Sequence, residues 1–420
     1  LQLLSKICSR YNANFPVCES DRYVLKQFVQ TNYGTYLSRF SRILGSLQRE
    51  HILITNANLP YYRKYDLLRL LIRGKGKFVF DNLKIPIDLD LTLMSEFRNN
   101  SLLNSSTQSS TEFPSVVAAL TLRNLPVVCL EGLCHLIHKA DTLKKDHIST
   151  VYTNFGIHNN SLLKTFLALN RGETKIICQQ HGGRYCLDEV HFPFEYENEV
   201  ADEMLIWGNS KAGITMPSLK LATIRRSGAQ SRDVLLGLGS YNRFHQRYVL
   251  KPQYGHYHAS KYRRDTELFI SHLELDIQLT IRQQRKVPYK FSSLKRGITY
   301  DNCTQPFDKI LSKYRLYCVD HLGTTMLEAF SANIPTIVFV DQAYICFTNE
   351  ALPIMAELES AGVIHYSPTD AGAFVNKHYS GIEHWWNSNP VREALKRFMD
   401  CFALVDGNSE KLLVEHLTTN

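Results

Sequence analysis

The 420-residue sequence predicts an α/β protein built as two Rossmann-like lobes that face each other across a cleft. Three observations predict it. The length exceeds what one core usually serves, so two domains of about 200 residues each are expected. Hydrophobic residues at 44% and charged residues at 21% are ordinary for a globular chain, so each domain can bury a core. Short apolar runs alternate with longer stretches of helical periodicity, the signature of parallel sheets made of βαβ units, and the alternation occurs in both halves.

In the first half the apolar runs predict strands at 51–55, 77–80, 126–130, 149–154, 174–179 and 203–207. In the second half they predict strands at 233–238, 276–282, 314–319, 335–340 and 363–366. The stretch 210–231 carries Gly213, Pro217 and the run Arg225-Arg226-Ser227-Gly228, and reads as the connection between lobes. The expected domains are therefore an N-terminal lobe at 1–215, a C-terminal lobe at 216–388, and a helical segment at 389–420 that packs back across the lobes. An amphipathic helix from 390 to about 404 is its main element. The Ser- and Thr-rich run 101–111 reads as a polar loop.

Several classes of function lose support. No run of about 18 apolar residues is present, and no charged start precedes a short apolar stretch, so neither a membrane span nor a signal peptide is expected and a cytoplasmic location is. The chain begins at Leu1, as an excised domain would, and a targeting or anchoring segment can belong to what precedes it. The ten cysteines include no C-x-x-C pair, and several sit in apolar runs, as Cys178 does, which is the habit of reduced structural thiols. The net charge of +8 is spread along the chain and suits nucleotide phosphates, polyanionic glycans or anionic lipid carriers. Zinc-finger spacing, an RNP-like strand and a basic helix are all missing from the sequence, so no nucleic-acid partner is expected. No G-x-G-x-x-G follows a strand and no Walker sequence occurs, which removes the simplest dehydrogenase and P-loop readings. His256 and His258 flank Tyr257 without acidic or Cys partners at metal spacing, so no metal site is expected.

The densest chemical motif is Gln179-Gln180-His181-Gly182-Gly183-Arg184-Tyr185, directly after the apolar run Lys175-Ile176-Ile177-Cys178. Glycines at a strand's end let backbone approach a ligand, and His181 can serve as acid, base or hydrogen-bond donor. A tight turn closing a βα unit is the plainer alternative. Downstream, Glu195, Glu197 and Glu199 precede Asp202. Such carboxylates can deprotonate an acceptor hydroxyl or attack a carbon centre, although acidic helices are usually solvated faces.

The second motif is Asp320-His321-Leu322-Gly323-Thr324-Thr325-Met326-Leu327-Glu328, a strand end, a glycine turn and a helix start. Amides and hydroxyls at a helix N-terminus suit a phosphate, and Glu328 one turn in can hold a ribose hydroxyl. Thr325-x-x-Glu328 also reads as a capping box. Arg282 and Asp341 end apolar runs at the ligand edge, and Arg243 lies in Ser240-Tyr241-Asn242-Arg243-Phe244-His245, another segment that follows a strand. Trp385-Trp386 reads as a packing anchor between lobes.

With these residues placed, the chain resembles a family of transferases encoded in bacterial O-antigen and other surface-polysaccharide gene clusters, often beside genes for nonulosonic acids. The carriers are Gln180-His181-Gly182-Gly183, the segment from Glu195 to Trp207-Gly208, Gly323 to Glu328, Asn333-Ile334-Pro335-Thr336 and Trp385-Trp386, within a match that runs from about 149 to 404. The family pattern has glycines where this chain has Arg184 and Cys186, and Trp where it has Asn209.

That family is similar in turn to retaining transferases that use CMP-activated ulosonic acids such as Kdo. The resemblance implies a GT-B glycosyltransferase fold and metal-independent transfer of a CMP-activated sugar to a lipopolysaccharide, O-antigen or capsule acceptor. It implies no cofactor beyond the nucleotide sugar, and work in the cytoplasm at the inner face of the membrane where a lipid-linked glycan is met. In that reading Arg282, His321, Gly323, Thr324, Thr325 and Glu328 hold the nucleotide, while Gly182, Gly183, Tyr185, Arg243 and Asp341 line the substrate. His181, Glu195, Glu197 and Asp202 are the catalytic candidates, with Glu195 first and Glu197 second as the group that attacks the anomeric carbon or activates the acceptor. Two alternatives stand beside it: a CDP-glycerol-type polyol-phosphate transferase with His181 as base, and a glycan-binding or assembly module without turnover.

Overall fold

The computed structural model describes residues 51–55, 78–80, 83, 132–144, 147–222, 224, 232–239, 256–283, 290–291, 294 and 297–419. The chain divides into two compact units, Leu1–Ala57 with Leu71–Ile176, and Asn58–Leu70 with Ile177–Asn420. The boundaries expected at 215/216 and 388/389 both fall inside the second unit.

In the first unit, strand β1 (His51–Thr55) lies between β2 (Phe78–Phe80) and, beyond helix α1 (Leu133–Lys144), strand β3 (Ile148–Thr153). Both pairings are parallel, with Leu53 opposite Val79 and Val151. Every residue of β1 is buried, as expected for a strand covered on both faces. Two helices follow, α2 (Gly156–Asn159) and α3 (Ser161–Leu169). The Asn160 side chain caps α3 by accepting from the Leu163 amide at 3.0 Å, and Leu162, Leu163, Phe166 and Leu167 form its buried stripe.

Strand β4 (Lys175–Gln179) leads into the second unit, where α4 (Phe192–Val200), β5 (Glu203–Ile206), β6 (Ile214–Thr215) and α5 (Leu219–Ala222) follow. Strand β5 pairs in parallel with both β4 and β6. Next come β7 (Arg232–Leu238), α6 (His256–His272), β8 (Leu279–Gln283), β9 (Ile298–Tyr300), α7 (Phe307–Leu311) and β10 (Tyr314–Val319). The remainder is α8 (Thr324–Ser331), β11 (Thr336–Phe339), α9 (Ala351–Ser360), β12 (Ile364–His365), α10 (Pro368–His378), α11 (Ile382–Trp386), α12 (Asn389–Phe402) and α13 (Ser409–Thr419).

Strands β7 to β12 form one parallel sheet in the order β12-β11-β10-β7-β8-β9. The chain builds outward from β7 through β8 and β9, then returns to lay β10 on the other side. The crevice at the carboxyl ends of β7 and β10 is thus a topological switch point, where open α/β sheets bind ligands. Leu235 and Leu236 of β7, Leu316 and Cys318 of β10 and Ile337 and Val338 of β11 are fully buried, and Phe269 of α6 stacks on Phe339 at 4.4 Å.

The expected amphipathic helix is α12. Val391, Ala394, Leu395, Phe398 and Phe402 make its buried face, which packs on α8 and α9. Its end seats on the turn after β5: the Asn209 amide donates to Asp400 O at 3.0 Å and the Ser218 amide to Leu404 O at 2.9 Å. A Cβ on Gly208 would stand 1.9 Å from the Cys401 carbonyl oxygen, so only glycine permits this approach. Trp385 and Trp386 do anchor packing, but against Phe374 and Phe330 of the helices beside the six-stranded sheet, with Trp386 Nε1 donating to Asn333 at 2.9 Å.

Strands expected at 51–55 and 314–319 form with those bounds, and the other described ones shift by one to three residues at an end. Short strands β6 and β9 are additions. The expected connection at 210–231 holds β6 and α5 in its first part. The expected strand at 126–130, the loop at 101–111, Arg243 and the side chains of His256 and His258 lie outside the described residues. Among the described residues no helix is long and apolar enough to cross a membrane, and no three His, Cys, Asp or Glu side chains gather as metal ligands.

Candidate active site

The segment after β4 is fixed before it reaches its histidine. Gln180 is buried, its amide donates to Leu205 O at 2.8 Å, its Nε2 donates to Gly182 O at 2.9 Å, and its Oε1 accepts from the Trp207 amide at 2.8 Å. One side chain therefore ties the loop to the end of β5. Further along, Arg184 (φ 77) and Cys186 (φ 60) adopt the left-handed region. These are the two positions where the resemblance leads us to expect glycine, and a left-handed backbone is the conformation that favours it. A non-glycine residue there costs about 1 kcal/mol, held by the surrounding bonds. Thr348 supplies some of them, its Oγ1 donating to Cys186 O at 3.0 Å and its amide to Leu187 O at 3.0 Å.

His181 is held by two buried groups. Its Nδ1 lies 3.1 Å from Oε1 of Glu197 and 2.5 Å from the Tyr185 hydroxyl, which itself lies 2.7 Å from Oε2 of Glu197. Tyr185 has one proton and gives it to the carboxylate, so its oxygen accepts from His181. Both neighbours of Nδ1 are then acceptors, which places a proton on Nδ1, so that in the neutral ring the lone pair is on Nε2. Burial, and next the Glu197 charge, push the Tyr185 hydroxyl far up, which keeps it a donor. The same two causes push the Cys178 thiol up and keep it neutral behind the cluster. Glu197 is the fully buried residue of α4, whereas Glu195 and Glu199 on the same helix are exposed.

The second motif meets this loop directly. Helix α8 begins at Thr324 with Gly323 as N-cap. The Gly183 amide donates to Thr324 Oγ1 at 3.1 Å. A Cβ on Gly183 would lie 2.8 Å from the Gly323 carbonyl carbon and 3.1 Å from the Thr324 amide nitrogen, so two backbones touch where a side chain would separate them. The first amides of a helix lack intrahelical acceptors and carry the positive end of its dipole, which makes this junction suited to an anion.

Other expected residues fall elsewhere. Glu328 is buried and pairs with Lys220 Nζ at 2.6 Å, and the N-cap is Gly323, so Thr325 and Glu328 form no capping box. Arg282 pairs with Asp301 and donates to Gln305 O at 2.8 Å, which commits the cation expected for a phosphate. Asp341 pairs with Lys261 and accepts from the Ala343 amide at 3.0 Å. Glu195 accepts from the His191 amide at 3.2 Å, a local bond at its own helix start, and Asp202 is exposed. The structure therefore brings together His181, Gly182, Gly183, Tyr185, Glu197, Gly323 and Thr324.

His321 and Thr325 lie on the same helix-start loop, with His321 Nε2 3.4 Å from Thr325 Oγ1. Sequence reasoning quoted Asp320 in the motif without giving it a role and missed Tyr262: Asp320 holds His321, and Tyr262 donates to Asp320. An Asp beside a His at a strand end is a usable signal for the first, while nothing in the sequence points to Tyr262.

A family model described as LIC12162 family transferase matches residues 1–417. Among solved structures, the wall teichoic acid polymerase TagF aligns at 10% identity over 94% of this chain and 97% of that one, with a TM-score of 0.44. MurG of Acinetobacter baumannii aligns at 11% identity over 89% and 100%, with a TM-score of 0.42. The spinosyn rhamnosyltransferase SpnG aligns at 12% over 87% and 99%, with a TM-score of 0.38. Among curated proteins none matches the chain.

Proposed function

We propose, from the premise that the chain belongs to the LIC12162 family of transferases, that it is a glycosyltransferase of the GT-B type. Its donor is a CMP-activated ulosonic acid, of the Kdo or nonulosonic acid kind, and its acceptor a surface-polysaccharide glycan met at the inner face of the cell membrane. One observation carries the reading. The Gly183–Thr324 contact sets an imidazole with a fixed tautomer beside the start of a helix.

In this reading His181 Nε2 takes the proton of an acceptor hydroxyl, and that oxygen attacks the anomeric carbon. The bond from that carbon to the phosphate oxygen breaks, and its electron pair leaves with CMP. Amides at the start of α8 and the hydroxyls of Thr324 and Thr325 take the phosphate's charge, with no metal ion required. Glu197 is a positioning residue here: it is fully buried, with one oxygen engaged by Tyr185 and the other by His181. We put forward a single displacement with inversion at the anomeric carbon in place of the role, attack on that carbon or activation of the acceptor, that the resemblance implied for Glu195 or Glu197.

The same base favours a second reading, polyol-phosphate transfer from a CDP-glycerol-type donor, because a hydroxyl attacking phosphorus needs the same proton acceptor. Nucleotide release from a CMP-ulosonic acid and from CDP-glycerol, measured with H181Q and E195Q, separates the cases. We expect turnover with the CMP sugar, insensitivity to EDTA, a loss of about a thousandfold in kcat for H181Q with donor KM changed less than about threefold, and full activity for E195Q. Turnover of CDP-glycerol alone selects the second reading. Loss of activity in E195Q but not H181Q overturns the base assignment, and no release with any donor favours a binding module.

A further inference from the structure

The crevice between β7 and β10 holds a second histidine with its own buried carboxylate. Asp320, whose side chain is 2% exposed, accepts the Gly239 amide at 2.8 Å and His321 Nδ1 at 2.7 Å on Oδ1, and the Tyr262 hydroxyl on Oδ2. Three donors from three elements engage this carboxylate, and one of them is the His321 ring, which the bond orients. The ring lies against Gly323, where a Cβ would stand 2.7 Å from its Cδ2. Its Nε2 shares the rim of the helix start with Thr325 Oγ1 at 3.4 Å, close enough for both to reach oxygens of one phosphate.

We propose that His321 is a proton-coupled phosphate contact, positioned by Asp320 and Tyr262. This rests on the reading of the α8 start as the nucleotide site. An imidazole between a carboxylate and a phosphate stands between two anions. It takes one proton from solvent onto Nε2 as the nucleotide enters, so that Nδ1–H faces Asp320 and Nε2–H faces the phosphate. No bond of the nucleotide changes in this step. Among the described residues the ring meets Asp320 at its own strand end and Gly323 and Thr325 on its own loop and helix, while Tyr262 on α6 reaches Asp320 from the far side of the carboxylate. Lys261, the cation next to Tyr262, is engaged by Asp265 and Asp341. The imidazolium thus adds a full positive charge to the partial charges of the helix start.

Calorimetric titration of CMP into the protein at neutral pH, repeated in buffers of different ionisation heat, counts the protons taken up. The nucleotide's own ionisation is common to all variants and cancels in their differences. We expect the unsubstituted protein to take up more protons than H321Q and to bind CMP about tenfold more tightly, as for a lost charge-assisted hydrogen bond. D320N should lose the extra uptake although His321 remains, D320E should recover part of it, and Y262F should weaken it while melting within a few degrees of the unsubstituted protein. Equal proton uptake by H321Q and the unsubstituted protein overturns this inference alone. Absence of CMP binding by the unsubstituted protein overturns the reading of the site and this inference with it.

Discussion

The second unit holds two clusters made of the same three side-chain types. His181 meets Glu197 and Tyr185, and His321 meets Asp320, with the carboxylate bonded to a histidine and a tyrosine each time, Tyr185 in the first and Tyr262 in the second. They differ in where the carboxylate comes from. Glu197 projects from a helix and is fully buried, so the His181 tautomer is set by a partner that water does not reach. Asp320 is the residue before its histidine at the end of a strand, and the His321 side chain is more open, at 30% exposure against 22% for His181. The first arrangement suits a base whose lone pair must stand ready before substrate arrives. The second suits a group whose proton arrives with the ligand.

Exchanging the carboxylates for amides breaks the comparison most sharply. E197Q should lower kcat about a hundredfold, because a glutamine amide can donate to Nδ1 and turn the ring to the wrong tautomer. D320N should leave kcat at saturating donor within about threefold and raise the donor KM, because it disturbs binding and not the base. Kinetics of both variants over a range of donor concentrations checks this, and a matching fall in kcat for D320N would mean that the clusters share one role.

G183A should follow in size. Its Cβ would press on the backbone of Gly323 and Thr324, so the two loops must part. Nucleotide affinity measured by titration should fall about tenfold, whereas G182A, whose Cβ would meet the side-chain Oγ1 of Thr324 at 3.1 Å and no backbone among the described residues, should lose far less. Y185F is the smallest change. It removes the bond to Glu197 and the one from His181 Nδ1, and should lower stability by about 2 kcal/mol in denaturant unfolding, with kcat down only several-fold.

The strands and both motifs were legible because parallel strands buried on both faces are continuous apolar runs, and β10 was found at its observed bounds for that reason. The glycine-flanked His181 and the start of α8 stood out because close backbone approach needs residues without side chains. Glu197 was legible as a candidate but not in its role. On α4 the buried position is itself a glutamate, so hydrophobic periodicity says nothing about which of Glu195, Glu197 and Glu199 turns inward. Arg282 and Asp341 were placed correctly at strand ends, yet their partners Asp301 and Lys261 come from other elements, and pairing across elements leaves no local trace. Strands β6 and β9, two and three residues long, carry too little pattern to register.

The configuration of the product tests the central claim most directly, that His181 serves a single displacement and no carboxylate attacks the sugar. The anomeric centre of the transferred sugar, determined by NMR and compared with that of the donor, should be inverted. Retention, together with a glycosyl adduct trapped on Glu195 or Glu197, would contradict it.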